Sequence, residues 1–137
     1  KKLKRTISKR NYFNNLIWKS LKNHKAAIIP KVPKNIILSP YRCNIKLNFE
    51  MIKKKYNLKK IIKLLNSKEQ ICNEGSCSEM YLENSFKTLN LSPRKRLKNA
   101  AKLGTISLAF FINPFMSNKD MNKKIKKIIR VFDLISI

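Results

Sequence analysis

The chain has 137 residues, 43% of them hydrophobic, which suits one domain with a buried core. Its 32 lysines and arginines stand against 7 acids, a formal net charge of +25, so a compact globule of this sequence repels itself unless an anionic partner neutralises it. No apolar run approaches the roughly 18–20 residues of a membrane span, three cysteines do not make a secreted disulfide framework, and the only glycines, Gly75 and Gly104, form no phosphate loop.

In chain order, residues 1–10 read as a basic, solvated arm. This acid-free start is compatible with the remains of an organellar import signal, although it is rich in Lys where such signals are rich in Arg. Phe13, Leu16, Ile17 and Leu21 recur at helical spacing and predict a helix over about 11–24. Pro30, Pro33 and Pro40 forbid a helix in the next segment. There Ile36, Ile37 and Leu38 form a short apolar run, and Ile45, Leu47 and Phe49 alternate with Lys46 and Asn48 at the period of a strand. From Glu50 two readings stand. Ile52, Tyr56, Leu58, Ile61, Ile62 and Leu65 fit a helix ending near Asn66, or the first half of that stretch continues the strand.

Residues 67–77, polar and holding Gly75, read as a loop. Ser76 and Glu79 have capping-box spacing, with Leu82, Phe86 and Leu89 giving a short amphipathic helix behind them. Ser92-Pro93 reads as an N-cap followed by proline at the first helical position, opening a helix that reaches about Leu103 and stops at Gly104. Residues 105–112 are β-prone. Ser117 with Asp120 caps a final helix whose Met121, Ile125, Ile128, Ile129 and Phe132 point inward.

The 26 Lys, 18 Ile and 16 Asn look like translation of an AT-rich genome, which accounts for part of the lysine excess. It does not account for the scarcity of acids or their placement. Residues 69–86 hold Glu69, Glu74, Glu79 and Glu83 with no Lys or Arg, whereas residues 1–49 hold 13 basic residues and no acid. An anion-facing surface is therefore expected from both ends of the chain. Arg94, Lys95, Arg96 and Lys98 fall in the first turn of the helix predicted after Ser92-Pro93. Cations there oppose the helix dipole by about 0.3–1 kcal/mol each, unless a phosphate sits at that helix end; the competing reading is a solvated basic face. Lys53 and Lys54 on segment 50–66, Lys123 and Lys127 on the last helix, and Lys31, Lys34, Arg42 and Lys46 in the middle complete the expected RNA contacts. Trp18 and Tyr41 are candidates to stack on unpaired bases, Tyr41 being carried with the RNA-binding set.

Cys72 and Cys77, with Cys43 and His24, could make a Cys3His zinc site, but their spacing lacks the tight pairs of structural zinc sites, so no metal is expected. His24 is the only histidine, and the few carboxylates form no metal pair. No catalytic residue and no cofactor are expected.

One run of motifs resembles a known family. Ile29-Pro30-Lys31-Val32-Pro33-Lys34, then Leu38-Ser39-Pro40, then Phe49-Glu50-Met51, and further on Leu89-Asn90-Leu91-Ser92-Pro93, are similar in kind and order to segments of the tenth protein of the small ribosomal subunit, over about residues 3–95. The spacing between the proline motifs is shorter than in that family, and the basic residue and histidine that usually follow the Glu are absent. The resemblance implies an α+β fold, a small ferredoxin-like sheet with two packed helices. It also implies a long loop around Ser39-Pro40 reaching into the subunit head, and strand over 47–56. On this reading the chain divides into a basic arm at 1–10, an α+β core at 11–94 with a loop insertion at 67–78, and a basic helical extension at 95–137.

Charge, segmentation and resemblance together give the expectation of a structural, non-enzymatic rRNA-binding protein of an organellar small ribosomal subunit, mitochondrial or alternatively plastid. Its expected partners are ribosomal RNA and other ribosomal proteins, with no small-molecule substrate and no transmembrane segment. A peripheral basic subunit of an organellar membrane complex, or a small basic DNA-binding protein, are the alternatives.

Overall fold

The computed structural model describes residues 2–75 and 77–137. It is an α+β fold around one four-stranded antiparallel sheet in the order β1-β2-β4-β3. The strands are β1 (Ala27–Ile28), β2 (Arg42–Leu47), β3 (Cys72–Glu74) and β4 (Ser107–Phe111). The helices are α1 (Lys2–Leu21), α2 (Leu58–Leu65), α3 (Asn84–Thr88), α4 (Lys98–Ile106) and α5 (Asn118–Ile135). Among the described residues, no helix is long and apolar enough to cross a membrane.

Strand alternation decides which face of the sheet is buried. Cys43, Ile45 and Leu47 of β2 point inward, with Cys72 of β3 and Leu108 and Phe110 of β4. The stripes of three helices close over them: Phe13, Ile17 and Leu21 of α1, Leu58, Ile61 and Leu65 of α2, and Met121, Ile128, Phe132 and Ile135 of α5. The helical spacings in the sequence predict these stripes correctly. α5 also begins where Ser117 places it, the Ser117 hydroxyl accepting from the Asp120 N–H at 3.1 Å and donating to its carboxylate at 2.7 Å.

Several boundaries differ from the sequence reading. Residues 2–10, expected as an arm, form the first half of α1, because the Phe13–Ile17–Leu21 stripe anchors the helix and Lys2 to Arg10 extend it without a breaker. The helix expected to end near Asn66 forms as α2, but residues 52–57 ahead of it are neither strand nor helix. Phe49–Met51 make one 3-10 turn, Ile52 forms an isolated bridge to Ser136, and α2 starts only after Asn57, whose side chain accepts from the Lys60 N–H. This corrects the strand over 47–56 that the ribosomal resemblance implied.

The expected loop at 67–77 contains edge strand β3. Its start is fixed by the Asn66 side chain, which accepts the Ile71 and Cys72 N–H groups at 2.9 and 3.1 Å. Gly75 follows it, so close to β4 that a Cβ there would lie 2.5 Å from the Ser107 Cβ. Nor do residues 95–137 extend a finished core. β4, the strand that joins β2 to β3, and α5, which packs on α1 and α2, both come from that stretch.

Ser92-Pro93 does not open a helix. The Ser92 hydroxyl donates to the Tyr81 carbonyl at 2.5 Å, and α4 begins at Lys98 after Leu97, with no side-chain cap. Of the Ser76–Glu79 capping box, Ser76 lies outside the described residues. The short helix expected behind it is a 3-10 turn at Met80–Leu82 followed by α3.

Candidate functional site

The second face of the sheet is polar and only partly covered. It presents Arg42, Asn44 and Lys46 of β2 beside Phe111, Ala109 and Ser107 of β4. β1 pairs only with Leu47 and Lys46, so the rest of the β2 edge has no strand beside it. The proline-rich segment 29–41 and α1 close that gap. Trp18 donates its indole N–H to the Asn44 carbonyl at 3.1 Å, and Asn11 donates its amide to the Leu38 carbonyl at 2.8 Å.

Two clefts meet here and share Pro30 and Asn44. One, of about 540 Å3, runs between α1 and β2 and is lined by Asn14, Trp18, Val32, Tyr41 and Arg42 among others. The other, of about 900 Å3, runs between β2 and α4 past Lys46, Ser107, Gly75, Ser78 and Lys98. Together they form a groove across the outer face of the sheet.

The smaller cleft has mostly apolar walls, with Asn14 and Arg42 among its polar groups. Tyr41, 70% exposed, stands with the guanidinium carbons of Arg10 and Arg42 each 5.7 Å from its ring centroid, and Arg42 also lies 5.2 Å from that of Phe111. Among the described residues, the Nε atoms of both arginines and the side-chain nitrogen of Asn14 are buried without a hydrogen-bond partner. Among the described residues neither guanidinium is ion-paired, the pairs being His24–Asp133, Arg96–Glu79, Lys123–Asp120 and Lys124–Glu69.

A second constellation holds the groove's outer rim. Glu79 accepts from the Arg96 Nε and Nη2 at 2.7 and 2.6 Å and from the Tyr81 hydroxyl at 2.7 Å, and that hydroxyl accepts the Leu97 N–H at 3.0 Å. The two guanidinium hydrogen bonds, then the Tyr81 hydroxyl, hold the Glu79 carboxyl down at about 2. This clamp ties the start of segment 79–97 to its end.

The residues expected to contact RNA are dispersed. Tyr41 and Arg42 meet at the smaller cleft, and Lys46 and Lys98 line the larger one. Arg96 is held by Glu79, while Arg94 and Lys95 project from a turn ahead of α4 and not from a helix end. Lys31 and Lys34 are exposed on segment 29–41, and Lys54 is exposed in the turn before α2. Lys53 donates to the Leu134 carbonyl at 2.8 Å near the end of α5. Lys123 pairs with Asp120, and the Lys127 amine is buried near Cys72 with no partner among the described residues.

The four zinc candidates do not converge either. Cys43 and Cys72 are buried on either side of Phe110, where burial pushes both thiols up to about 12. Cys77 is exposed, and His24 faces Asp133 at 3.3 Å. Among the described residues no group of three or more His, Cys, Asp or Glu could hold a metal. The amines of the groove are Lys46 and Lys98.

The sequence reading missed Arg10, Asn14 and the Glu79–Arg96 pair. The first two carried a signal, since Arg10, Asn14 and Trp18 are spaced four apart and make a second stripe beside the apolar one on α1. The Glu79–Arg96 pair spans 17 positions and carried none.

No protein-family model matches the chain, and no curated protein matches it. Solved structures do. An aminotransferase from Psychrobacter cryohalolentis superposes with a TM-score of 0.85 at 25% identity over 98% of this chain and 37% of its own. The aminotransferase TlmJ from Streptoalloteichus hindustanus gives 0.74 at 11% identity over 93% and 32%. A DegT DnrJ EryC1 StrS aminotransferase from Brucella abortus gives 0.68 at 17% identity over 92% and 31%. The chain thus spans about a third of the length of the structures it matches.

These likenesses overturn the expectation of a ribosomal protein, together with its non-enzymatic character and its partners of ribosomal RNA and ribosomal proteins with no small-molecule substrate. They overturn the membrane-complex and DNA-binding alternatives as well. The physical reason lies in the charge, which reports that lysines are many and acids few but not what they face. Here the described basic residues are spread over α1, α2, α5 and the turns.

Proposed function

We propose that this chain is the part of an aminotransferase that carries the groove on the outer face of its four-stranded sheet. One observation carries the reading: the aminotransferase fold is followed over 98% of the chain, at a TM-score of 0.85 and 25% identity. The remaining two thirds of such an enzyme would cover the groove. The rim supports this, because Leu89, Leu91 and Leu97 between α3 and α4, and Leu103 on α4, stand exposed in a stretch, 77–107, that buries no side chain of its own. Amino transfer moves an amino group from an amine to a carbonyl carbon, so the substrates would be small molecules bearing those groups. The chain's share is to hold and orient them, since the groove is lined by the Asn14 amide, Arg42 and the amines of Lys46 and Lys98. Within this fold, β2-α2-β3-β4-α5 reads as a ferredoxin-like split arrangement in which β1 takes the outer position beside β2.

The test is to capture the protein from its native source with an antibody against α5, together with whatever it is bound to. The captured material should transfer amino groups from a panel of amino acids to a panel of carbonyl acceptors, and immunodepletion should remove that activity from the extract. Captured material that transfers no amino group to any acceptor would overturn the proposal.

A further inference from the structure

We propose that the cleft between α1 and β2 is a binding site for an oxyanion, a phosphate or carboxylate group, gripped by Asn14 and Arg42 of its lining with Arg10 reaching in beside Tyr41. Three observations converge. Asn14 is 1% exposed, lines the cleft, and its side-chain nitrogen has no hydrogen-bond partner. Leaving a buried amide donor unpaired costs about 1–3 kcal/mol, so such a group points to a missing acceptor. Arg10 and Arg42 each bury an Nε–H that is equally unpartnered, and neither is ion-paired among the described residues. Both guanidinium groups lie against Tyr41, and Arg42 against Phe111 as well, so their planes are held before any ligand arrives.

The local architecture explains the concentration of donors. β1 stops opposite Lys46, and the carbonyl of Asn44 on the open edge is already taken by the Trp18 indole. Arg10 and Asn14 are four apart on α1 and share a face. What remains is a cleft with largely apolar walls, Pro30, Val32, Leu38 and Pro40 among them, into which Asn14 and Arg42 bring the polar groups. An oxyanion with two or more oxygens, a carboxylate or a phosphate, accepts from an arginine fork at two atoms at once, which a halide or a lone carbonyl oxygen cannot do. The inference goes beyond the aminotransferase reading and does not depend on it.

The probes are sodium phosphate and sodium acetate, titrated into the full chain at constant ionic strength. Binding would be followed through the Asn14 side-chain amide and the Arg Nε–H resonances. Saturable shifts in those resonances with phosphate preferred indicate a phosphate-bearing ligand, and with acetate preferred a carboxylate; shifts with neither probe overturn the site. Arg10→Lys and Arg42→Lys keep the charge and remove the fork, so each should weaken binding by about tenfold, whereas Arg94→Lys in the exposed turn should leave it unchanged. Equal affinity in all three variants would mean that the net charge alone attracts the anion.

Asn14→Asp adds a readout that needs no added anion. It places a carboxylate at the wall of the cleft beside the two guanidinium groups, and should raise the melting temperature while abolishing phosphate binding. A lowered melting temperature would show an uncompensated buried charge and overturn the proposal. The two readings fail separately. Native material that transfers amino groups while this chain ignores both anions sinks only the site, and anion binding without amino transfer sinks only the aminotransferase reading.

Discussion

At the scale of single residues, the close approach of β3 to β4 rests on Gly75. A Cβ there would meet the Ser107 Cβ at 2.5 Å, with the Ser107 carbonyl oxygen at 3.5 Å. Gly75→Ala should therefore push the end of β3 away from β4 and destabilise the fold by about 1–3 kcal/mol, the usual range for an overpacked site. Chemical denaturation of the variant against the parent measures this, and an unchanged midpoint would show that the edge can shift freely.

Glu79 gives a second prediction at this scale. Its carboxyl titrates at about 2 in the folded chain against an ordinary 4.5. A carboxyl whose folded value is depressed contributes stability that is complete above its unfolded value and is lost as pH falls through the folded one. The window is thus about pH 4.5 down to 2. Arg96→Gln removes the guanidinium that is the main cause. The parent should lose stability across that window and the variant should lose less, as read by thermal melts at stepped pH. Parallel curves would mean that the pair forms in the unfolded chain as well.

At the scale of elements, α4 and α5 differ at their starts. α5 has a Ser117 cap whose hydroxyl accepts from the Asp120 N–H, followed by an acid in its first turn. α4 has Leu97 at the same position, with no side-chain cap and no acid behind it. Ser117→Ala should cost about 1 kcal/mol, the usual value of a serine cap, and fray α5 from its first turn. Hydrogen exchange should then quicken at 118–121 and stay slow around Phe132, which is fully buried. Uniform acceleration along α5 would instead report global unfolding.

At the scale of the whole molecule, a net charge of +25 on 137 residues works against compactness. The described ion pairs engage few of the basic residues, and those that do are mostly exposed. Raising ionic strength from about 0.01 to 0.15 M shortens the Debye length from about 30 to 8 Å and should screen that repulsion. The melting temperature of the isolated chain should rise over this range in sodium chloride. A flat or falling curve would mean that the lysines lie far enough apart, or close enough to backbone acceptors such as the Leu134 carbonyl that holds Lys53, to cost nothing.

What could be read from the sequence was whatever repeats along one element. The stripe Phe13–Ile17–Leu21, the alternation of Ile45 with Leu47, Met121, Ile125, Ile128 and Phe132 of the inward set expected on α5 and the Ser117 cap all appear in the fold as periodicity and capping chemistry predict, because each depends on neighbours within a few positions. Tertiary structure alone decided the rest. Cys72–Glu74 became a strand because β4 lay ready to pair with it, in a stretch whose composition reads as loop. Arg96 met Glu79 instead of an anion at a helix end, since Ser92 was taken by the Tyr81 carbonyl and α4 began later. The donors of Arg10, Asn14 and Arg42 came together only when α1 was laid beside the open edge of β2. Charge misled for a related reason. Coulomb attraction is long-ranged and indifferent to its partner, so composition can show an excess of lysine but not what, if anything, the lysines bind.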